Sequence, residues 1–181
     1  LTPEALPRYR DTASVRREYL GAAYPASTGI IMPRLVHPRA LLQVDFVAAA
    51  GPRQAINPGW SHYDRVTFVP AVRAGRVLFL SGQGAANEET GAVEHPGDVI
   101  AQTRYVYSKI GKVLAAAGAG LDTLVKTVEF ITPAALEHYA ASARVRQEFL
   151  KPPYPAATGV VCDRLLRPEM LIEVDAVALL D

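Results

Sequence analysis

The sequence predicts an α+β fold, a mixed sheet with two helices on one face, preceded by a helix-strand-strand half-domain. Three observations carry this reading. Residues 66–181 run through strand-like and helix-like patterns in the order ββαβαββ. Residues 1–51 repeat residues 131–181, so the back half of that order stands twice in the chain. The composition is half apolar, with 19 Lys and Arg against 18 Asp and Glu, which is that of a globular chain with no footprint for nucleic acid or an anionic membrane.

The repeat holds a constant offset of 130 without a gap, and 23 of its 51 pairs are identical. "YPASTGII" at 24–31 returns as "YPAATGVV" at 154–161, and "LLQVDFVA" as "LIEVDAVA". A period this long marks a duplicated domain segment and not a solenoid array. In each copy Thr-Pro opens a helix, Thr2-Pro3 and Thr132-Pro133, with Thr as the cap and Pro at the first helical position. Leu6, Tyr9, Ala13 and Leu20, and again Leu136, Tyr139, Ala143 and Leu150, follow helical spacing. Two β-branched runs follow each helix, separated by His37-Pro38 or Arg167-Pro168.

Between the copies, residues 51–65 read as a linker, and 66–181 as the complete domain. The linker's Trp60, His62 and Tyr63 either pack it onto the domain or line a pocket. A hairpin is expected from "RVTFVPAV" and "RVLFLSG" around "RAG". Gly97-Asp98 then starts a helix with the stripe Ile100, Thr103, Tyr107, Ile110, Leu114 and Ala117, ended by Gly118 and Gly120, and "TLVKTVEFI" is a strand.

Alternation along strands assigns faces. It puts Leu124, Val128 and Phe130 on one side of their strand and Thr127, Glu129 and Ile131 on the other; in the last strand Ile172, Val174 and Ala176 oppose Glu173, Asp175 and Val177. If the apolar sides meet the helices, Glu129, Glu173 and Asp175 share a helix-free face, half apolar and half acidic. Such a face is expected against another subunit, unless the acids are solvated or paired with arginines such as Arg164.

The segments "VLFLSGQ", "AAAGAGLDTLVKT", "YPAATGV" and "LIEVDAVAL" resemble the Rid family of reactive-intermediate deaminases, also called YjgF/YER057c/UK114 and endoribonuclease L-PSP-like. The resemblance covers 66–181, and 1–50 resembles the second half of the same domain. It implies a chorismate-mutase-like sandwich that assembles as a homo-oligomer, a trimer or here a pseudo-trimer, with ligand clefts between subunits. It implies hydrolysis of small imine or enamine acids to keto acids and ammonia, with no metal and no other cofactor. Carried over by position, Glu173 is the carboxyl beside the attacking water and Ser81 lines the pocket; Thr158 and Gly159 are expected to line it as well. The family's carboxylate-gripping arginine falls at Ala157 and its pocket tyrosine at Phe68. Losing the arginine removes a bidentate contact that alanine cannot replace, so the chain resembles an arginine-lacking branch.

The first copy carries Gln43 where the second has Glu173, which assigns acid-base work to the second copy, with Glu129 as a second carboxyl able to push a shared pKa towards neutrality. Cys162 reads as a small buried hydrophobe, and His62, His95 and His138 lack metal spacing. The expected protein is therefore a cytoplasmic small-molecule hydrolase, without a membrane span or nucleic-acid partner. The alternative is a catalytically silent ligand-binding or scaffold subunit. An isolated half-domain leaves a sheet edge bare, so residues 1–50 are expected to meet an upstream segment or another copy of the molecule.

Overall fold

The computed structural model describes residues 1–181. The sheet is built on the hairpin of β3 (Ala71–Ala74) and β4 (Val77–Leu80), which Gly75 closes at φ +60°, a conformation that favours glycine. Preceding them are α1 (Thr12–Leu20), β1 (Ile30–Ile31) and β2 (Arg53–Ile56). Following them are β5 (Gln83–Gly84), α2 (Val99–Ala116), β6 (Leu124–Ile131), α3 (Leu136–Tyr139), α4 (Ser142–Phe149), β7 (Ala156–Val161), β8 (Arg164–Leu165) and β9 (Ile172–Leu179). The main sheet runs β2-β3-β4-β9-β6-β7, with β5 also on β9, and is antiparallel except for β6 and β7. This is the expected mixed sheet, with the last strand of the chain at its centre.

Helix α2 forms where the pattern puts it. The Asp98 carboxylate accepts from the N–H groups of Ile100 and Ala101 at 3.0 and 2.9 Å, a cap that stabilises a helix by about 1 kcal/mol. Its buried stripe of Val106, Tyr107, Ile110, Val113 and Leu114 packs on Leu78, Leu80, Val174, Ala176 and Ala178 of the sheet. The second helix is broken into α3 and α4, and its Thr132 stands at the start without capping through its side chain, as Thr2 does in the first copy. No helix is long and apolar enough to cross a membrane.

The structure differs from expectation in three places. Residues 51–65, expected as a linker, include β2, which pairs with β3 from Arg53↔Ala74 to Ile56↔Ala71, while Trp60 enters the core. The second strand of the first copy does not form: residues 42–49 are irregular and exposed, Phe46 by 82%. Its counterpart β9 is paired on both sides, by β4 and β6, whereas residues 42–49 have no strand beside them to pair with.

The third difference concerns Glu129. The register pairs Glu129 with Val174, and Phe130 with Glu173, so Glu129 lies beneath the helices and Glu173 on the opposite face. A register shift between Leu124 and Lys126 turns Leu124 to the helix side, away from Val128 and Phe130. Glu129 can be buried there because it is satisfied: Tyr107 donates to one oxygen at 2.9 Å, and Tyr139 and Arg146 donate to the other. It ties α2, α3 and α4 to the sheet, in the way a buried charge must be paired to be tolerated.

Candidate functional site

The face of Glu173 is covered by the chain itself. Residues 25–31, the repeated string of the first copy, lie across it. Val69 N–H donates to Pro25 O at 3.0 Å, Ser27 N–H to Ser81 Oγ at 2.8 Å, and Gly82 N–H to Thr28 Oγ1 at 3.0 Å. β1 then pairs with β8, Ile30 opposite Leu165. The cover expected from a neighbouring subunit is thus supplied within one chain.

Ser81 is fully buried and its hydroxyl is used twice, donating to Val69 O and accepting from Ser27 N–H. It therefore holds the cover in place behind the cavity wall; it does not line the cavity as the carried-over position implies. Gly82 comes next, where any Cβ would stand 2.1 Å from Glu173 Oε1 and 2.9 Å from Thr28 Cγ2. Only glycine lets the backbone pass between them.

Beyond these segments is a cavity of about 170 Å³, with Glu173 in its wall together with Ser27, Gly29, Tyr63, Phe68 and Lys109. Phe68 packs edge-on against Tyr63, ring centroids 5.5 Å apart, and both face this space. His62 also lines it, so two of the three aromatic side chains at 60–63 serve the cavity, and Trp60 serves the core. Ala157, Thr158 and Gly159 do not gather here. They are exposed on β7, separated from β9 by β6, with Thr158 accepting from Lys126. Their counterparts Ser27, Thr28 and Gly29 stand beside Glu173 instead.

Burial and the neighbouring Asp175 carboxylate push the Glu173 carboxyl up to about 7, against the opposing pull of Lys109 and the Gly29 N–H. Asp175 is itself raised by burial, with a hydrogen bond from Thr28 acting the other way. Burial holds Lys109 down at about 8. Its ammonium donates to Gly84 O at 3.1 Å and Ala86 O at 2.8 Å and lies over the Trp60 ring. Burial first, then the charges of Arg167, Lys109 and Arg65, keep His62 below the usual imidazole value. Cys162 is buried, and that burial pushes its thiol up to about 11, away from reactivity.

The sequence reading missed Lys109, Tyr63 as a settled wall residue, and the role of the first copy. For Lys109 a signal exists: it falls with Gln102, Val106 and Val113 on one helical row, so a lysine stands on an otherwise buried stripe.

The profile of the family described as "Endoribonuclease L-PSP" matches residues 62–180. The chain belongs to this family. The RutC family protein PH0854 of Pyrococcus horikoshii is 32% identical over 108 residues, 60% of this chain and 82% of that one. Protein mmf2, mitochondrial, of Schizosaccharomyces pombe is 35% identical over 95 residues, 52% of this chain and 71% of its own. Among solved structures, E. coli TdcF with bound serine superposes with a TM-score of 0.57 at 27% identity, covering 63% of this chain and 87% of TdcF. The family carries the α+β sandwich described above, and membership supports a small-molecule deaminase or endoribonuclease-like role.

Proposed function

We propose that the chain is a small-molecule hydrolase of the deaminase type, acting on an imine or enamine in the cavity beneath residues 25–31, with Glu173 as general acid and base. The observation that carries this is a carboxyl on a helix-free face, enclosed in a small cavity and held near neutrality by burial. Protonated, it gives its proton to the imine nitrogen as the C=N π pair moves to nitrogen. Ionised, it takes a proton from the water whose oxygen bonds to that carbon. The same group then returns the proton to nitrogen as the C–N bond breaks and takes the hydroxyl proton as the C=O bond forms, so that C=NH and water leave as C=O and ammonia. The Gly29 N–H and Lys109 are the nearby donors that steady the charge.

Glu129 is assigned a structural part in this proposal, Ser81, Thr28 and Gly82 hold the cover, and Phe68 and Tyr63 shape the wall. A cavity of about 170 Å³ accepts a small metabolite and not a polynucleotide, and a formal net charge of +1 provides no steering towards RNA. The solved TdcF holds serine, a ligand of fitting size. Glu173→Gln is the test, read as ammonia release from 2-iminopropionate generated in situ. A fall of about 10²–10⁴ in kcat/KM is expected. Unchanged turnover would remove the acid-base role, and absence of turnover in the unaltered chain across imines and enamines would favour the silent ligand-binding reading.

A further inference from the structure

The cavity contains more positive charge than its own walls neutralise. Four half-buried or exposed cations elsewhere are matched: Arg146 by Glu129, Arg104 by Glu148 at 2.7 Å, Lys112 by Glu88 at 2.7 Å, and Arg8 by Asp11 at 3.3 Å. Two cations that line the cavity are not. Lys109 spends its donors on the neutral carbonyls of Gly84 and Ala86. Arg167 is half-buried in the turn between β8 and β9, and no acceptor of the protein takes its guanidinium. It lies against Gly91, where an added Cβ would sit 3.2 and 3.3 Å from its two terminal nitrogens, so the loop carrying Gly91 backs the guanidinium on one side.

The acids of the cavity do not cancel this. Glu88 lines it too, but its carboxylate is engaged by Lys112 and Tyr105. Burial pushes Glu173 towards its neutral form. Lys109 is buried with only neutral carbonyls for partners and Arg167 has none, so a bound anion would give both their counter-charge.

We propose that Arg167 holds the carboxylate of a small monocarboxylic acid in this cavity, with Lys109 supplying the second positive charge. The proposal rests on the reading of the cavity as the substrate site. It places the anchoring cation in the β8–β9 turn, whereas Ala157 and Ser27 leave both copies of the repeated string without one. Three observations select this ligand. A cavity of about 170 Å³ has room for roughly the six heavy atoms of benzene, which fills an engineered cavity of about 150 Å³. Its walls mix Phe68, Leu166 and Met170 with the charges, which suits a short organic chain and not an inorganic ion. The Glu173 and Asp175 carboxyls on β9 disfavour a dianion, so a carboxylate is preferred to phosphate, and the planar fork of arginine matches it in two parallel bonds.

The experiment is calorimetric titration of the full chain with sodium propionate, propionamide and inorganic phosphate, repeated on Arg167→Gln, Arg167→Lys and Glu173→Gln. Arg167 is partly exposed and bonded to nothing, so its variants should keep the unaltered melting temperature. Propionate is expected to bind at least about tenfold more tightly than propionamide or phosphate, to lose at least about tenfold in Arg167→Gln, and to lose less in Arg167→Lys. Equal propionate affinity in Arg167→Gln, or no preference for propionate over propionamide, would overturn the proposal. So would phosphate binding more tightly than propionate. Glu173→Gln separates the two readings. If it abolishes turnover while propionate binding ignores Arg167, only the anchor fails; if it leaves turnover intact while binding depends on Arg167, only the acid-base role fails.

Discussion

Burying a carboxyl with its proton on has a thermodynamic signature that can be measured without any substrate. Glu173 has an ordinary value of 4.5 and is raised to about 7 in the fold. Below about pH 4.5 it is protonated folded and unfolded, and its contribution to stability is fully present. As pH rises from there to about 7 the unfolded chain ionises while the fold retains the proton, so the fold loses about 3 kcal/mol, and above that no more. Glu173→Gln should therefore gain on the unaltered chain by about 3 kcal/mol between pH 4.5 and 8 in denaturant unfolding. A difference that stays flat with pH would show that the carboxyl is solvated. The neighbouring glycine makes a second, steric case. Gly82→Ala puts a methyl group into the side chains of Glu173 and Thr28 at once, and both of these are packed where the covering string lies over the sheet. It should cost about 1–3 kcal/mol of stability, checked by thermal unfolding at a single pH.

At the scale of elements, the string 25–31 is held by three side-on hydrogen bonds, two of which use the hydroxyls of Ser81 and Thr28. Ser81→Ala leaves Ser27 N–H and Val69 O without their partner, and the string should open locally before the sheet does. Faster amide exchange at Ser27 with unchanged exchange in β9 is expected; uniform acceleration would mean that the string is part of the global unfolding unit. The elements themselves were legible because each carries a local signal: the Asp98 cap, the turn at Gly75, the alternation of β9. The layering was not, since alternation names two faces without saying which is inward. Lys126 shares its face with Val128 and Phe130, and that charge argues against the helix side, whereas the acid across from it, Glu129, is buried only because Tyr107, Tyr139 and Arg146 come from three helices to meet it. Partners drawn from distant segments leave no trace in the strand's own pattern. The same holds for the site: Glu173 is readable from its strand, but which copy of "YPA.TG" faces it, here Ser27, Thr28 and Gly29, is decided by tertiary docking.

For the molecule as a whole, the two copies divide the work unequally. One string covers the cavity of its own chain, while the strand that should follow it, residues 42–49, lies unpaired and presents Val44, Phe46 and Val47 to solvent. A row of exposed apolar side chains on a segment with unpaired backbone seeks a sheet edge or a second such row, so the chain should self-associate through this segment. The cavity does not depend on that contact, since its cover is tethered in the same chain and remains at high effective concentration at any dilution. The expectation is therefore double. In light scattering, Phe46→Glu with Val44→Glu should shift the chain towards monomer, while turnover and propionate affinity per chain stay unchanged, because neither residue lines the cavity. Dilution of the unaltered chain should likewise lower its mass without lowering its specific activity. If activity falls with dilution or with these substitutions, the functional cleft is completed by a second chain, and the arrangement of residues 25–31 over Glu173 is not the one in which the chemistry occurs.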